Sequence, residues 1–251
     1  MSAQTKKQDS VFVVIPAFNE AQRIRSIAEQ TLAQCPKLIV VDDGSTDDTA
    51  KKLDGLAVDI IQLPANQGKA FALWQGMIRA CHLGAEAVIS LDADGQHRPE
   101  DIPRFIQAWK NQPKRLIIGS RFADISQVPK DRLFANKFAN FWISWAAGQK
   151  IFDSQCGYRL YPAKLISKLK LNTSRGRSFV FESEVIISAA KLGYQITPVP
   201  IAAIYDSNSR PSHFHARRDI TKITQMLLWS LFSRAMYPQG FYRAFLKKDQ
   251  N

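Results

Sequence analysis

Five short apolar runs recur through the first half of the chain: VFVVI (Val11 to Ile15), LIVV (Leu38 to Val41), VDIIQL (Val58 to Leu63), AVISL (Ala87 to Leu91) and RLIIG (Arg115 to Gly119). Between the first two, Glu20 to Gln34 places Ile24, Ile27, Ala28 and Leu32 at helical spacing. Continuous β-branched strands separated by helices point to an α/β fold, a mostly parallel sheet covered by helices on both faces. The 251 residues fit one large domain, or one domain with an appendage. In such sheets ligands sit beyond the carboxyl ends of the strands.

That edge is where the polar residues fall. PAFNE follows the first run, DDGSTDDT the second, PANQGKA the third and DADGQH the fourth. Each has a plain structural reading as well. Pro16 and Asn19 suit a turn, and DGSTDD suits a helix start, with Ser45 or Thr46 as cap and Asp47 and Asp48 at the positive end. All four loops are expected to line one edge together. Asp92 and Asp94, one residue apart at the end of an apolar strand, need something to neutralise them. Neither the Gly-x-x-x-x-Gly-Lys-Ser/Thr loop nor Gly-x-Gly-x-x-Gly occurs, so a Walker ATPase and a dinucleotide site are not expected. Mg²⁺ or Mn²⁺ held by Asp92 and Asp94, its remaining positions filled by diphosphate oxygens, accounts for the pair.

The formal charge of +12 favours an anionic partner: nucleic acid, an acidic membrane surface or a phosphorylated substrate. Seven of those charges come from residues 210–248, where eight bases (Arg210, Arg217, Arg218, Lys222, Arg234, Arg243, Lys247, Lys248) face only Asp219. Interleaved with them are Leu227, Leu228, Trp229, Phe232, Phe241 and Phe245 among other apolar residues. Bases beside an aromatic helix mark a segment lying on an anionic bilayer, and nucleic acid is not expected because no motif for it is present. Cys35, Cys81 and Cys156 show no Cys-x-x-Cys pairing, so neither a disulfide framework nor a zinc site is indicated. Residues 1–10 read as a polar tail, with no apolar stretch of signal-peptide type and none in the chain long enough to span a bilayer. A cytoplasmic protein is therefore expected.

IPAFNE, VDDGSTDDT, NQGKA, LDADGQH and DSQCGYRLY together resemble the family 2 glycosyltransferases of the GT-A fold, and within them the dolichyl- and polyprenyl-phosphate mannose or glucose synthases. The resemblance runs from about Val11 to Tyr205. It implies one nucleotide-sugar-binding domain over 11–209, a UDP- or GDP-sugar donor, Mg²⁺ or Mn²⁺, and inversion at the anomeric carbon. It places Pro16, Asn19 and Glu20 on the base and ribose and Asp42 and Asp43 on the nucleoside. It also sets Asp92 toward ribose and metal, and Asp94 and Gln96 as principal metal ligands. Lys69 stays open between a donor role and a solvated lysine at a helix start.

In FDSQCGYRLY, Gly157 permits close backbone approach and Arg159 offers a forked pair of donors. The resembling enzymes face this arginine position to the acceptor phosphate, while an Asp153–Arg159 ion pair that fixes the loop is the structural alternative. Arg121 and Arg132 are further candidate cations for that phosphate. A sugar hydroxyl as acceptor would need Glu182, Glu184 or Asp153 as general base, whereas a phosphate oxygen is already ionised. The family's Glu-Asp pair for hydroxyl acceptors is missing, which leans toward a polyprenyl phosphate over a hydroxyl of a glycolipid or saccharide. From Leu133 to Gly148, Phe134, Phe138, Phe141, Trp142 and Trp145 follow helical spacing. Such a stripe is ordinarily core, yet the resembling enzymes place an interfacial helix here. The expectation is a hexosyltransferase peripheral on the inner face of the cytoplasmic membrane, its C-terminal segment 210–251 serving as the basic anchor.

Overall fold

A computed structural model describes residues 10–110, 112–121, 130–174, 178–202 and 216–247. Its sheet has seven strands: β1 (Val11–Ala17), β2 (Leu38–Asp42), β3 (Val58–Gln62), β4 (Ala87–Ser90), β5 (Arg115–Ser120), β6 (Arg159–Pro162) and β7 (Gln195–Pro200), in the order β3-β2-β1-β4-β6-β5-β7. β1 pairs parallel with β2 and β4, β3 pairs parallel with β2, and β7 pairs parallel with β5. β6 runs antiparallel between β4 and β5. The chain winds from β1 through β2 to β3 on one side and then returns to place β4 on the other. The strand order therefore reverses between β1 and β4, which is where open α/β sheets bind ligands.

The five apolar runs are β1 to β5, and every residue of β1, β2 and β4 is buried, as strands covered on both faces require. Helix α1 (Ile24–Gln34) turns Ile24, Ile27, Ala28 and Thr31 inward. Helix α2 (Lys69–His82) packs on β1 and β2, and α3 (Ile102–Lys110) buries Ile102, Phe105, Ile106 and Trp109 at the spacing of one helical face. The remaining helices are α4 (Lys130–Ala147), α5 (Ala163–Ile166), α6 (Ser178–Lys191), α7 (Ala216–Phe232) and α8 (Pro238–Phe241).

Three features differ from expectation. The DGSTDD stretch does not start an α-helix. It stays irregular until a 3₁₀ turn at Lys51–Leu53, because its polar groups are engaged by the loop after β1. Strands β6 and β7 escape a pattern search: β6 is four residues led by an arginine, and β7 carries Pro198 and Pro200. β7 lies at the sheet edge, where a missing N–H costs no ladder bond. Finally, α7 contributes Leu227 and Leu231 to the same core cluster as β1 and β4, so the C-terminal stretch is packed onto the domain.

Candidate active site

The loops that leave β1 and β2 are bonded to one another. Asn19, held at a left-handed φ of 57°, accepts the Thr46 N–H at 2.8 Å through its side-chain oxygen, and its own N–H donates to Ser45 Oγ at 2.9 Å. The Glu20 N–H donates to Thr49 Oγ1 at 2.8 Å. Asp42 is buried and accepts the Ser45 N–H at 3.0 Å. Asp43 reaches the third loop, accepting the N–H groups of Gln67 and Gly68 at 2.7 and 2.8 Å. Gly68 sits at φ 97°, a conformation that favours glycine, and it delivers Lys69 as the first residue of α2. Pro16 lies within β1, opposite Val41. Asn19 and Asp43 thus tie neighbouring loops together, and Asp42 closes the turn of its own loop.

At the centre lies a cluster of charges. Lys69 Nζ is 2.9 and 3.0 Å from the two carboxylate oxygens of Asp92 and 3.3 Å from Glu182 Oε1 on α6. Glu182 is on the inner side of its helix. Glu184, two residues along, projects from another face, since i and i+2 positions do not share one. Burial pushes the Asp92 carboxyl up, but Lys69, then His97 and Arg121, outweigh it and hold the group below its ordinary value. Asp94 goes the other way: burial and the neighbouring Asp92 charge raise it. Burial lowers Lys69, and the charges of Asp92 and Glu182 more than offset this and raise it. The N–H of Gln96 donates to Asp94 Oδ1 at 2.9 Å, closing the DADGQ turn.

A residue that sequence reasoning passed over, His97, is buried with Nδ1 4.0 Å from Asp92 Oδ2 and Nε2 3.8 Å from Cys156 Sγ. Burial lowers its pKa, against the opposing pull of the Asp92 and Asp94 charges. Its place directly after Gln96 was the available signal. Ser90 was also passed over; its Oγ donates to the Gly157 carbonyl at 2.5 Å and ties the second half of the chain to β4. A Cβ at Gly157 would lie 2.8 Å from Asp92 Oδ2 and 3.0 Å from Lys69 Nζ, so a side chain there would push the charged pair aside.

The loop before β6 corrects two expectations. Arg159 has no exposed surface, and its guanidinium donates to three main-chain carbonyls: Cys156 at 2.7 Å, Glu182 at 2.8 Å and Ser154 at 2.8 Å. It fixes the loop to α6 and does not present a fork to a phosphate. Asp153 does not pair with Arg159 either. It is buried and bound by Arg121 through Nε at 2.8 Å, Nη2 at 2.9 Å and the backbone N–H at 3.2 Å, which removes it as a general base. Asn140 of α4, unforeseen, completes the frame by donating to the Phe152 carbonyl at 2.7 Å and accepting the Ser154 N–H at 2.9 Å. The side chains of Arg132 and Phe134, and residues 203–215, lie outside the described residues.

The aromatic stripe of α4 is divided. Ile143, Ala146 and Ala147 are buried, Trp142 and Trp145 are half-buried, and Phe138 and Phe141 remain exposed. The chain's end folds back onto this helix: Phe241 meets the Trp145 ring at 5.3 Å, Phe245 stacks on Phe141 at 5.0 Å, and Trp145 Nε1 donates to the Tyr237 carbonyl at 3.2 Å. The outward side of α7 leaves Trp229 77% and Phe232 64% exposed.

Residues 12–170 match the profile of Glycosyl transferase family 2. The chain belongs to that family. A UDP-N-acetylglucosamine–dolichyl-phosphate N-acetylglucosaminyltransferase of Methanococcus voltae is 30% identical over 220 residues, covering 79% of this chain and 87% of the relative. A polyprenol monophosphomannose synthase of Mycolicibacterium smegmatis is 29% identical over 210 residues, 79% of each. Among solved structures, glucosyl-3-phosphoglycerate synthase from Mycobacterium tuberculosis in complex with uridine-diphosphate superposes with a TM-score of 0.66 at 20% identity, over 90% of this chain and 79% of that one. The sheet and its flanking helices are thus those of a GT-A glycosyltransferase.

Proposed function

We propose that this family 2 glycosyltransferase moves a hexose, with inversion, from a UDP- or GDP-sugar to a polyprenyl phosphate at an anionic membrane surface on the cytoplasmic side. The observation that carries the reading is the placement of Asp92 and Asp94 at the β1/β4 reversal, against the joined loops of β1, β2 and β3. Names of relatives that act on dolichyl or polyprenyl phosphates support the acceptor.

The donor set suits Mg²⁺ or Mn²⁺. Asp92, Asp94 and the Gln96 amide are hard oxygen donors, few enough to leave room for diphosphate oxygens, although among the described residues no ready group of three His, Cys, Asp or Glu converges on one point. Asp92, Asp94 and Glu182 against Lys69 sum to −2, the charge a divalent cation cancels. When bound, the metal would neutralise charge on the leaving diphosphate. Asp92, Asp94 and Gln96 would hold it. The loops of Pro16, Asn19 and Glu20 and of Asp42 and Asp43 would seat the nucleoside, and Lys69 the phosphates.

A phosphate acceptor fits the carboxylates that the site holds. Asp153 is clamped by Arg121 and Glu182 is bound by Lys69, so neither stands ready to take a proton from a hydroxyl. A phosphate oxygen attacks without one. Arg121, held in place by Asp153, and Arg132 are the acceptor cations of this reading. Phe138 and Phe141 on α4, Tyr242 and Phe245 on the segment that returns to it, and Trp229 and Phe232 on α7 are all exposed, as are Lys137, Arg243 and Lys247; exposed aromatics and bases of this kind suit a leaflet of anionic lipid. Among the described residues no helix is long and apolar enough to cross a membrane. The test is incubation with labelled nucleotide sugars and undecaprenyl phosphate, then extraction of the lipid phase. Label released by mild acid as free sugar is expected. A sugar joined to a hydroxyl, with activity lost on Glu182→Gln, would contradict the acceptor.

A further inference from the structure

Lys69 stands where a metal ligand is expected to be shared. Both oxygens of Asp92 lie within 3.0 Å of its Nζ, so a cation bonded to Asp92 would sit beside the ammonium, and the repulsion between the two positive charges favours the ammonium drawing back. Its backbone cannot supply that movement, because the two residues before it are held by Asp43. Its second partner is also fixed: the carbonyl of Glu182 accepts Arg159 Nη1, which binds that turn of α6 to the loop on β6. The side chain of Lys69 is 37% exposed, so it has room to turn toward the open side of the site.

We infer that Lys69 is a tethered counter-cation that passes Asp92 to the metal when the nucleotide diphosphate arrives, Glu182 keeping hold of the ammonium as it turns toward the phosphates. The inference rests on the metal-diphosphate reading above. Its physical content is a coupling. The nucleotide's phosphates draw Lys69 away from Asp92, Asp92 is then available to the metal, and by linkage metal and nucleotide tighten each other. Glu182 lowers the cost of the movement, since an ammonium leaving its only carboxylate would lose its partner in a partly desolvated site. Glu182 is therefore a positioning residue for Lys69 and no proton acceptor.

The experiment is a Mn²⁺ titration followed by the electron paramagnetic resonance of the free ion, with and without UDP or GDP, on wild type, Lys69→Met, Glu182→Gln and the double variant. In Lys69→Met, Mn²⁺ should bind roughly 10-fold tighter without nucleotide, as expected for removal of one adjacent positive charge. The gain in Mn²⁺ affinity on adding nucleotide should shrink in the same variant. Glu182→Gln should weaken Mn²⁺ binding more in the wild-type background than beside Lys69→Met, because only there does the ammonium need a second partner. Equal effects of Glu182→Gln in both backgrounds, which loss of a nearby charge alone would give, would overturn the handover. So would unchanged Mn²⁺ affinity in Lys69→Met. Lys69→Gln serves the same comparison if the methionine variant does not fold. Failure of every protein, wild type included, to bind Mn²⁺ with nucleotide would instead overturn the metal reading.

Discussion

At the sheet edge where β1 to β4 end, polar side chains hold the loop backbones: Asn19 reaches Thr46 and Asp43 reaches Gln67 and Gly68 in the next loop, while Asp42 closes its own loop on Ser45. On α4, on α7 and on residues 238–246, large apolar side chains stay at the surface, and α4 meets Phe241 and Phe245 ring on ring. The first arrangement fixes positions to fractions of an ångström, as a site for a small charged ligand must. The second exposes area without fixing it, which suits a fluid lipid surface. Between the two runs the loop of residues 152–157, bound to Asn140 of α4 on one side and to Ser90 of β4 on the other.

Substitutions can break this contrast. The largest stability effect is expected for Arg159→Lys. A lysine cannot reach three carbonyls, and the buried charge would lose most of its partners, so about 3 kcal/mol or more should be lost in urea unfolding. A kinetic defect with unchanged stability would return Arg159 to the acceptor phosphate. Next comes Leu231→Ala, expected to cost about 2 to 4 kcal/mol because that side chain is buried in the common core. A negligible cost would make the C-terminal helix a separate appendage. The smallest stability effect belongs to Trp229→Ala, two residues away on the same helix. Its melting temperature should hold while affinity for anionic vesicles falls by roughly 10-fold, the loss expected for one large interfacial side chain. A drop in melting temperature with intact vesicle binding would make the aromatic face core.

The parallel strands and the gathering of four loops were legible because each depends on local pattern: apolar runs for β1 to β5, and turn-forming polar residues after four of them. Asp92 and Asp94 stood out for the same reason, as two carboxylates one residue apart at the end of an apolar run. Arg159 and Asp153 were misread because their partners lie elsewhere in the chain. An arginine in a glycine-bearing loop looks the same whether it faces a phosphate or three carbonyls, and only the approach of α6 and residue 121 decides. Lys69 meets Glu182 from 113 residues away, a contact that no local pattern announces. The aromatic stripe of α4 carries both a buried and an exposed side, and its division depends on where the chain's end returns, a long-range fact that periodicity does not contain.

The central claim is that the β1/β4 reversal holds a metal-bound nucleotide diphosphate on Asp94. Calorimetric titration of UDP and GDP into wild type and Asp94→Asn, each with Mn²⁺ and with EDTA, tests it most directly. The substitution should leave the fold intact. Asp94 has a folded-state pKa above its ordinary value, so its ionised form costs stability that is absent in acid and sets in as pH rises through that pKa. At neutral pH the asparagine variant should therefore melt no lower than wild type. The account predicts nucleotide binding that depends on Mn²⁺ in wild type and loses that dependence in Asp94→Asn, with transfer falling by roughly 10²- to 10³-fold, as when one charge-stabilising group is removed. Equal Mn²⁺-dependent binding by both proteins would contradict it.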